Sequence, residues 1–200
     1  LSSFGESHGD ALGAVIDGCP AGVLFNQEIL NDLLARRRPG GHLVSARQEP
    51  DEVKILSGVF EGKSLGTPIS VIVENKDQRS DDYKEIKDSA RIGHADDVWK
   101  NKFSHVDHRG GGRSSGRETI CRVMAGSVAA MLLKKLSSQT ATKGWVYSAA
   151  NIEHTKNEVT ESRQLLFENK INTTTGMLLD RKSQLLEEKL LVAKKEGFAY

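Results

Sequence analysis

Residues 108–119 read His-Arg-Gly-Gly-Gly-Arg-Ser-Ser-Gly-Arg-Glu-Thr: three successive glycines among arginines, with two serine hydroxyls behind them. Glycines let a backbone approach a ligand closely and adopt torsions that other residues avoid. Ser115-Gly116-Arg117-Glu118 has the spacing of a capping box, which predicts a helix starting at Ser115 with N–H groups pointing back at the glycines. Glycine turn, guanidinium groups and a helix N-terminus together describe a site for a phosphorylated anion. A Walker A loop would need a lysine after its last glycine, and none follows here, which argues against nucleoside triphosphate hydrolysis.

Two further segments could do chemistry. Phe4-Gly5-Glu6-Ser7-His8-Gly9 sets a histidine between small residues, where it is expected to be open to a ligand. Gly93-His94-Ala95-Asp96 sets a second histidine beside a glycine. Histidine can protonate a leaving oxyanion near neutral pH, and a phosphate close by favours its charged form. Adjacency of Glu6, Ser7 and His8 does not make a triad, which geometry alone defines. A second basic cluster, Arg36-Arg37-Arg38, precedes Pro39-Gly40. His105, Asp107 and His108 lack a full ligand set, so no metal is expected. Read from these residues alone, the chemistry is that of a phosphorylated metabolite whose identity stays open.

Bulk properties narrow the class. Two hundred residues with a net charge of +1 and 6% aromatics carry no global field for nucleic acid or a membrane surface. Local basic clusters suit a small anionic ligand better. Cys19 and Cys121 lack metal-ligand spacing, which fits a reducing compartment. With no signal peptide or membrane span legible, a cytoplasmic protein is expected.

These segments need elements to position them. Ala14–Ile16 suggests a short strand, and Asn26 can cap a helix with Ile29, Leu30, Leu33 and Leu34 on one face. Glu52 to Phe60 and Pro68 to Val73 read as two strands joined by residues 61–67. Residues 74–107 form a long polar excursion, of the kind that is usually functional or disordered. Ile120 to Leu136 is apolar nearly all round and predicts a centrally buried helix, with Arg122 reaching a site or an ion pair. Trp145 to Ala149 suggests a strand, residues 150–180 have no assigned element, and Lys182 to Glu196 reads as a helix ended by Gly197.

The motifs resemble one family, chorismate synthase. The resemblance is carried by Ser3 to Gly9, Asp17 to Gly22, Arg36 to Gly40, Arg47 to Gly62, Gly66-Thr67-Pro68, Asp77 to Ser80, Gly93 to Asp96 and Asp107 to Thr119. It implies an α/β fold of the chorismate synthase type, a β-α-β sandwich with buried central helices flanked by antiparallel sheet. It further implies a single catalytic domain over 1–200, incomplete at both ends, in a homotetramer. The implied reaction is anti-1,4-elimination of phosphate from 5-enolpyruvylshikimate 3-phosphate to chorismate, in the shikimate pathway of aromatic amino-acid biosynthesis. The implied cofactor is reduced FMN, with NADPH as a reductant. By the same resemblance His8, Ser7, His94 and Ser115 are catalytic, with His8 protonating the departing phosphate and His94 set against the flavin. Arg113, Ser114, Ser115 and Arg37 bind the cofactor; Arg36, Arg38, Arg47 and Arg109 bind substrate. His108 stands where the family commonly has tyrosine, and Gly41-His42 where it commonly has arginine. The alternative is a catalytically incomplete fragment that binds FMN or a phosphorylated metabolite.

Overall fold

In β2 (Ala11–Ile16) and β6 (Ile69–Glu74) every second side chain faces the core: Leu12 and Ala14 on one strand, Ile69, Val71 and Val73 on the other. That alternation is what a half-buried strand requires. The two pair antiparallel in the register Leu12↔Val73, Ala14↔Val71 and Ile16↔Ile69, which stacks the buried residues on one face. The structure is a computed structural model that describes residues 1–38, 50–76, 93, 95–168, 170–172 and 174–197. These fall into two compact units, one within 1–38 and 47–141 and the other within 142–200.

In the first unit, β1 (Ser2–Phe4) and β3 (Val53–Ser57) complete an antiparallel sheet of order β1-β2-β6-β3. β1 is too short and serine-rich to show alternation. It is pinned by Phe4, whose ring covers Gly13 so closely that a β-carbon there would lie 2.2 Å from Cζ. The single strand expected from Glu52 to Phe60 breaks at Gly58, whose φ of 83° turns the chain into β4 (Val59–Phe60) and its hairpin partner β5 (Lys63–Ser64).

Helix α1 (Gln27–Arg37) starts as expected at Asn26, whose Oδ1 accepts from the N–H groups of Glu28 at 2.8 Å and Ile29 at 3.1 Å. It buries Leu30 and Leu34 and carries Arg36 and Arg37 in its last turn. Helix α3 (Thr119–Leu136) buries Ile120, Cys121, Met124, Ser127, Val128 and Met131 in the core shared with α1 and β2. Burial of a side chain such as Leu30 or Ile120 is worth about 1.5–3 kcal/mol. Its nearly all-round apolar composition predicted a centrally buried helix. Among the described residues α3 is instead buried on one stripe, with Leu136 73% exposed. Much of the opposite face is Ala125, Gly126 and Ala129, which score as apolar but carry little surface. Helix α2 (Asp96–Phe103) falls inside the long polar excursion. Cys121 is fully buried, and that burial pushes its thiol up, as befits a small core residue.

The second unit places a two-residue hairpin, Ala150-Asn151, between β7 (Ser148–Ala149) and β8 (Ile152–Glu153). A complete capping box at Thr155 and Glu158 opens α4 (Lys156–Glu161), followed by α5 (Arg163–Phe167). These occupy the stretch left unassigned by pattern. Helix α6 (Asp180–Glu196) ends at left-handed Gly197, as expected. It packs Leu186 on Ile152 and Met177. No helix among the described residues is long and apolar enough to cross a membrane.

Candidate active site

Two loops more than a hundred residues apart meet at His8. Glu6–Gly9 is a β-turn closed by Gly9 N–H donating to Glu6 O at 3.1 Å, with Ser7 and His8 at its centre. Ser7 N–H donates to Gly112 O at 3.3 Å. The glycine loop turns back through left-handed φ values of 58°, 83° and 49° at Gly110, Gly111 and Gly112. Glycine is needed at Gly110, where a β-carbon would stand 2.5 Å from His8 Nε2 and 3.1 Å from Ser7 Oγ. Ser7 is 1% exposed and His8 4%. The histidine expected to be open is therefore buried, because the glycine loop closes over it.

The arginines of the loop are each placed against a carboxylate. Arg109 holds Asp107 through Nε at 2.8 Å and NH2 at 2.7 Å. That fork keeps Asp107 below the usual carboxylate range and raises Arg109. Arg113 donates from NH1 to Gly5 O at 2.8 Å and from NH2 to Ser3 Oγ at 2.8 Å and Glu118 Oε1 at 3.2 Å. It ties the glycine loop to β1. Arg122, as expected, reaches an ion pair, with Glu118. Arg37 lies 3.3 Å from Asp51 and also donates to Arg117 O and Thr119 Oγ1, both at 3.4 Å. The end of α1 thus sits on the start of α3, with Arg36 and Arg38 exposed on either side of Arg37.

The predicted capping box at Ser115 does not form. Ser115 Oγ accepts from Arg117 N–H at 3.3 Å and so caps a 3-10 turn, Gly116–Glu118, ahead of α3. Glu118 cannot reach back, because Ser3, Arg113 and Arg122 take its carboxylate. Ser114 Oγ donates to Gly111 O at 2.7 Å, bracing the loop. The structure thus sets Ser7 and His8 against Gly110 and Gly112, Arg113 on Gly5 and Ser3, Ser114 on Gly111, and Arg37 at the helix start that Ser115 precedes. Arg109 faces Asp107. His94 and Arg47, and the motif residues Asp77 to Ser80, lie outside the described residues. Among the described residues no group of three His, Cys, Asp or Glu is arranged to hold a metal ion.

Sequence reading missed Asp51, Asn75 and Arg117, all buried (5%, 7% and 6% exposed) and linked by hydrogen bonds. Asp51 immediately follows Pro50, a turn signal that could have marked it. Nothing local marks Asn75.

The profile of the chorismate synthase family matches residues 1–197. The chorismate synthase of Bdellovibrio bacteriovorus is 62% identical over 149 residues, covering 72% of this chain and 44% of the relative. That of Campylobacter fetus is 51% identical over 156 residues, covering 78% and 43%. A crystal structure of a chorismate synthase superposes with a TM-score of 0.69 at 25% identity, covering 98% of this chain and 53% of that one. The chain spans about two-fifths of the length of these curated relatives. With a family profile running over nearly its whole length and the fold shared, this chain belongs to the chorismate synthase family.

Proposed function

We propose that the protein carrying this chain is a phosphate lyase that converts 5-enolpyruvylshikimate 3-phosphate to chorismate by anti-1,4-elimination, with the two units serving one catalytic domain. The observation that carries the reading is the burial of His8 and Ser7 against Gly110, which holds an imidazole inside an arginine- and glycine-rich loop. Histidine is the usual general acid near neutral pH, so the imidazole of His8 can deliver a proton to the departing phosphate oxygen. Ser7 beside it orients that exchange.

The donor set fits a phosphorylated cofactor such as FMN. Arg37 reaches the start of α3, where the hydroxyl of Ser115 stands and a β-carbon at Gly116 would meet open space, while exposed Arg36 and Arg38 are left to the substrate. Arg37, Ser114 and Ser115 would hold the cofactor there, while Arg113 keeps the loop in shape from its anchor on β1. By the family resemblance Arg109 and Arg47 are assigned to the substrate and His94 to the cofactor. Reduced FMN, when bound, lends electron density to the breaking C–O bond with no net redox change. NADPH as reductant and a cytoplasmic homotetramer go with the same reading.

The test is an anaerobic assay of the whole protein with reduced FMN and substrate, following phosphate and chorismate together. His8→Ala is expected to lower turnover by about 10²–10⁴-fold, the usual contribution of a positioned general acid. Parent-like turnover would remove His8 from the chemistry.

A further inference from the structure

The turn that carries Ser7 and His8 presents two of its carbonyl groups to a single side-chain amide. Asn75, just beyond β6, donates from Nδ2 to Gly9 O at 2.7 Å and to Glu6 O at 3.2 Å. Its backbone N–H donates to Asp10 O at 2.9 Å. Its Oδ1 accepts from Arg117 Nε at 2.7 Å. A guanidinium only donates, so the amide oxygen must face Arg117 and the NH2 must face the turn. Arg117 is fixed in its place by NH1 donating to Asp51 Oδ1 at 3.0 Å, and the second oxygen of Asp51 accepts from Arg37 at 3.3 Å. Asp51 adopts a left-handed φ of 50°, a conformation that persists where surroundings over-determine it.

We propose that Asn75 is the positioning residue for His8, and that Asp51 and Arg117 fix its orientation. The ladder of β6 with β2 ends at Ala11↔Glu74, so beyond it the turn is held to β6 through Asn75. The glycine loop bounds the turn through Ser7 N–H and the His8 ring, and Asn75 sets both of its ends. Their combined effect is a single setting of the imidazole. This inference rests on the reading of His8 as the proton donor.

The test is a double-mutant cycle in the whole protein, assayed for phosphate release with reduced FMN. Asn75→Asp removes both donors to the turn and keeps an acceptor for Arg117. A misplacement of about 1 Å costs up to 10²-fold in rate, so kcat is expected to fall about 10- to 100-fold. KM for the phosphorylated substrate should stay within about twofold, since uniform binding is not the quantity removed. Asn75→Asp combined with His8→Ala should be no slower than His8→Ala alone, because Asn75 acts through His8. If the two losses multiply, Asn75 acts elsewhere and the inference is overturned while the role of His8 stands. An unchanged kcat with only a lowered melting temperature overturns it too. Parent-like turnover in His8→Ala removes the reading and the inference together. Should Asn75→Asp not fold, Asn75→Gln enters the same cycle and the same outcomes decide.

Discussion

The α-carbon of Gly110 lies against the imidazole of His8, and a β-carbon built there would stand 2.2 Å from His8 Cδ2. Gly110→Ala therefore cannot be accommodated without moving the ring. The substitution also places a β-carbon at a φ of 58°, a left-handed conformation that costs a non-glycine residue about 1–2 kcal/mol. Turnover is expected to fall at least as far as in a variant that misplaces His8, about 10²-fold. Phosphate release and thermal melting measured on one preparation would separate the two effects. A parent-like rate would show that the ring need not sit where it does.

Asp51 neutralises two guanidinium groups, and its ion pair with Arg117 is buried, the side chains being 1% and 5% exposed. Asp51→Asn keeps the shape and the tolerance for positive φ but takes the Asp51 charge away from a buried guanidinium. Breaking one side of a buried pair costs about 3–5 kcal/mol. Adding Arg117→Met should restore part of that loss, since the buried guanidinium that Asp51 faces is then gone. Urea denaturation of the single and double variants checks both, and a double variant weaker than Asp51→Asn would contradict the account.

Arg113 spans Gly5 O, Ser3 Oγ and Glu118 Oε1 with one planar group. A lysine cannot serve three acceptors in that fork geometry. Arg113→Lys should lower stability by about 1.5–3 kcal/mol, the range for hydrogen bonds to charged groups. Amide exchange at Ser3 and Phe4 should quicken selectively, because β1 loses its anchor. Unaltered exchange in β1 would assign Arg113 to the ligand alone.

Glu158 is held down to about 2, chiefly by the Thr155 backbone N–H at 2.7 Å and then by Lys182. A carboxylate lowered in the folded state stabilises it fully above its ordinary value near 4.5, and that contribution is gone once pH has dropped through about 2. The α4–α6 contact, where Arg181 and Lys182 also meet Glu158, should therefore loosen on acidification. Glu158→Gln keeps an acceptor for the cap but removes the charge, and should flatten the acid limb of a melting-temperature profile. An identical acid limb in the variant would rule this out.

Local signals were legible wherever one element supplies its own partners. Asn26 caps α1 and Gly197 ends α6 because a cap involves only neighbouring residues. The alternation of β6 and the apolar stripe of α3 depend on burial period alone. Two capping-box sequences show the limit. Thr155 and Glu158 form the box, whereas Ser115 and Glu118, with the same spacing, do not. Glu118 has stronger partners in Arg113 and Arg122, and a charged donor outcompetes a backbone N–H for a carboxylate.

By itself the sequence determined the family, the expectation of an anion site at residues 108–119, and the existence of α1, α3 and β6. Only the tertiary structure decided that His8 is buried under Gly110, that Arg113 braces β1, and that Asn75 and Asp51 meet at Arg117. The reason is one of range. Caps and periodic faces are set within a few residues. The pairing of a buried charge is set by the path that brings Asp51 and Arg117, 66 residues apart, within 3.0 Å.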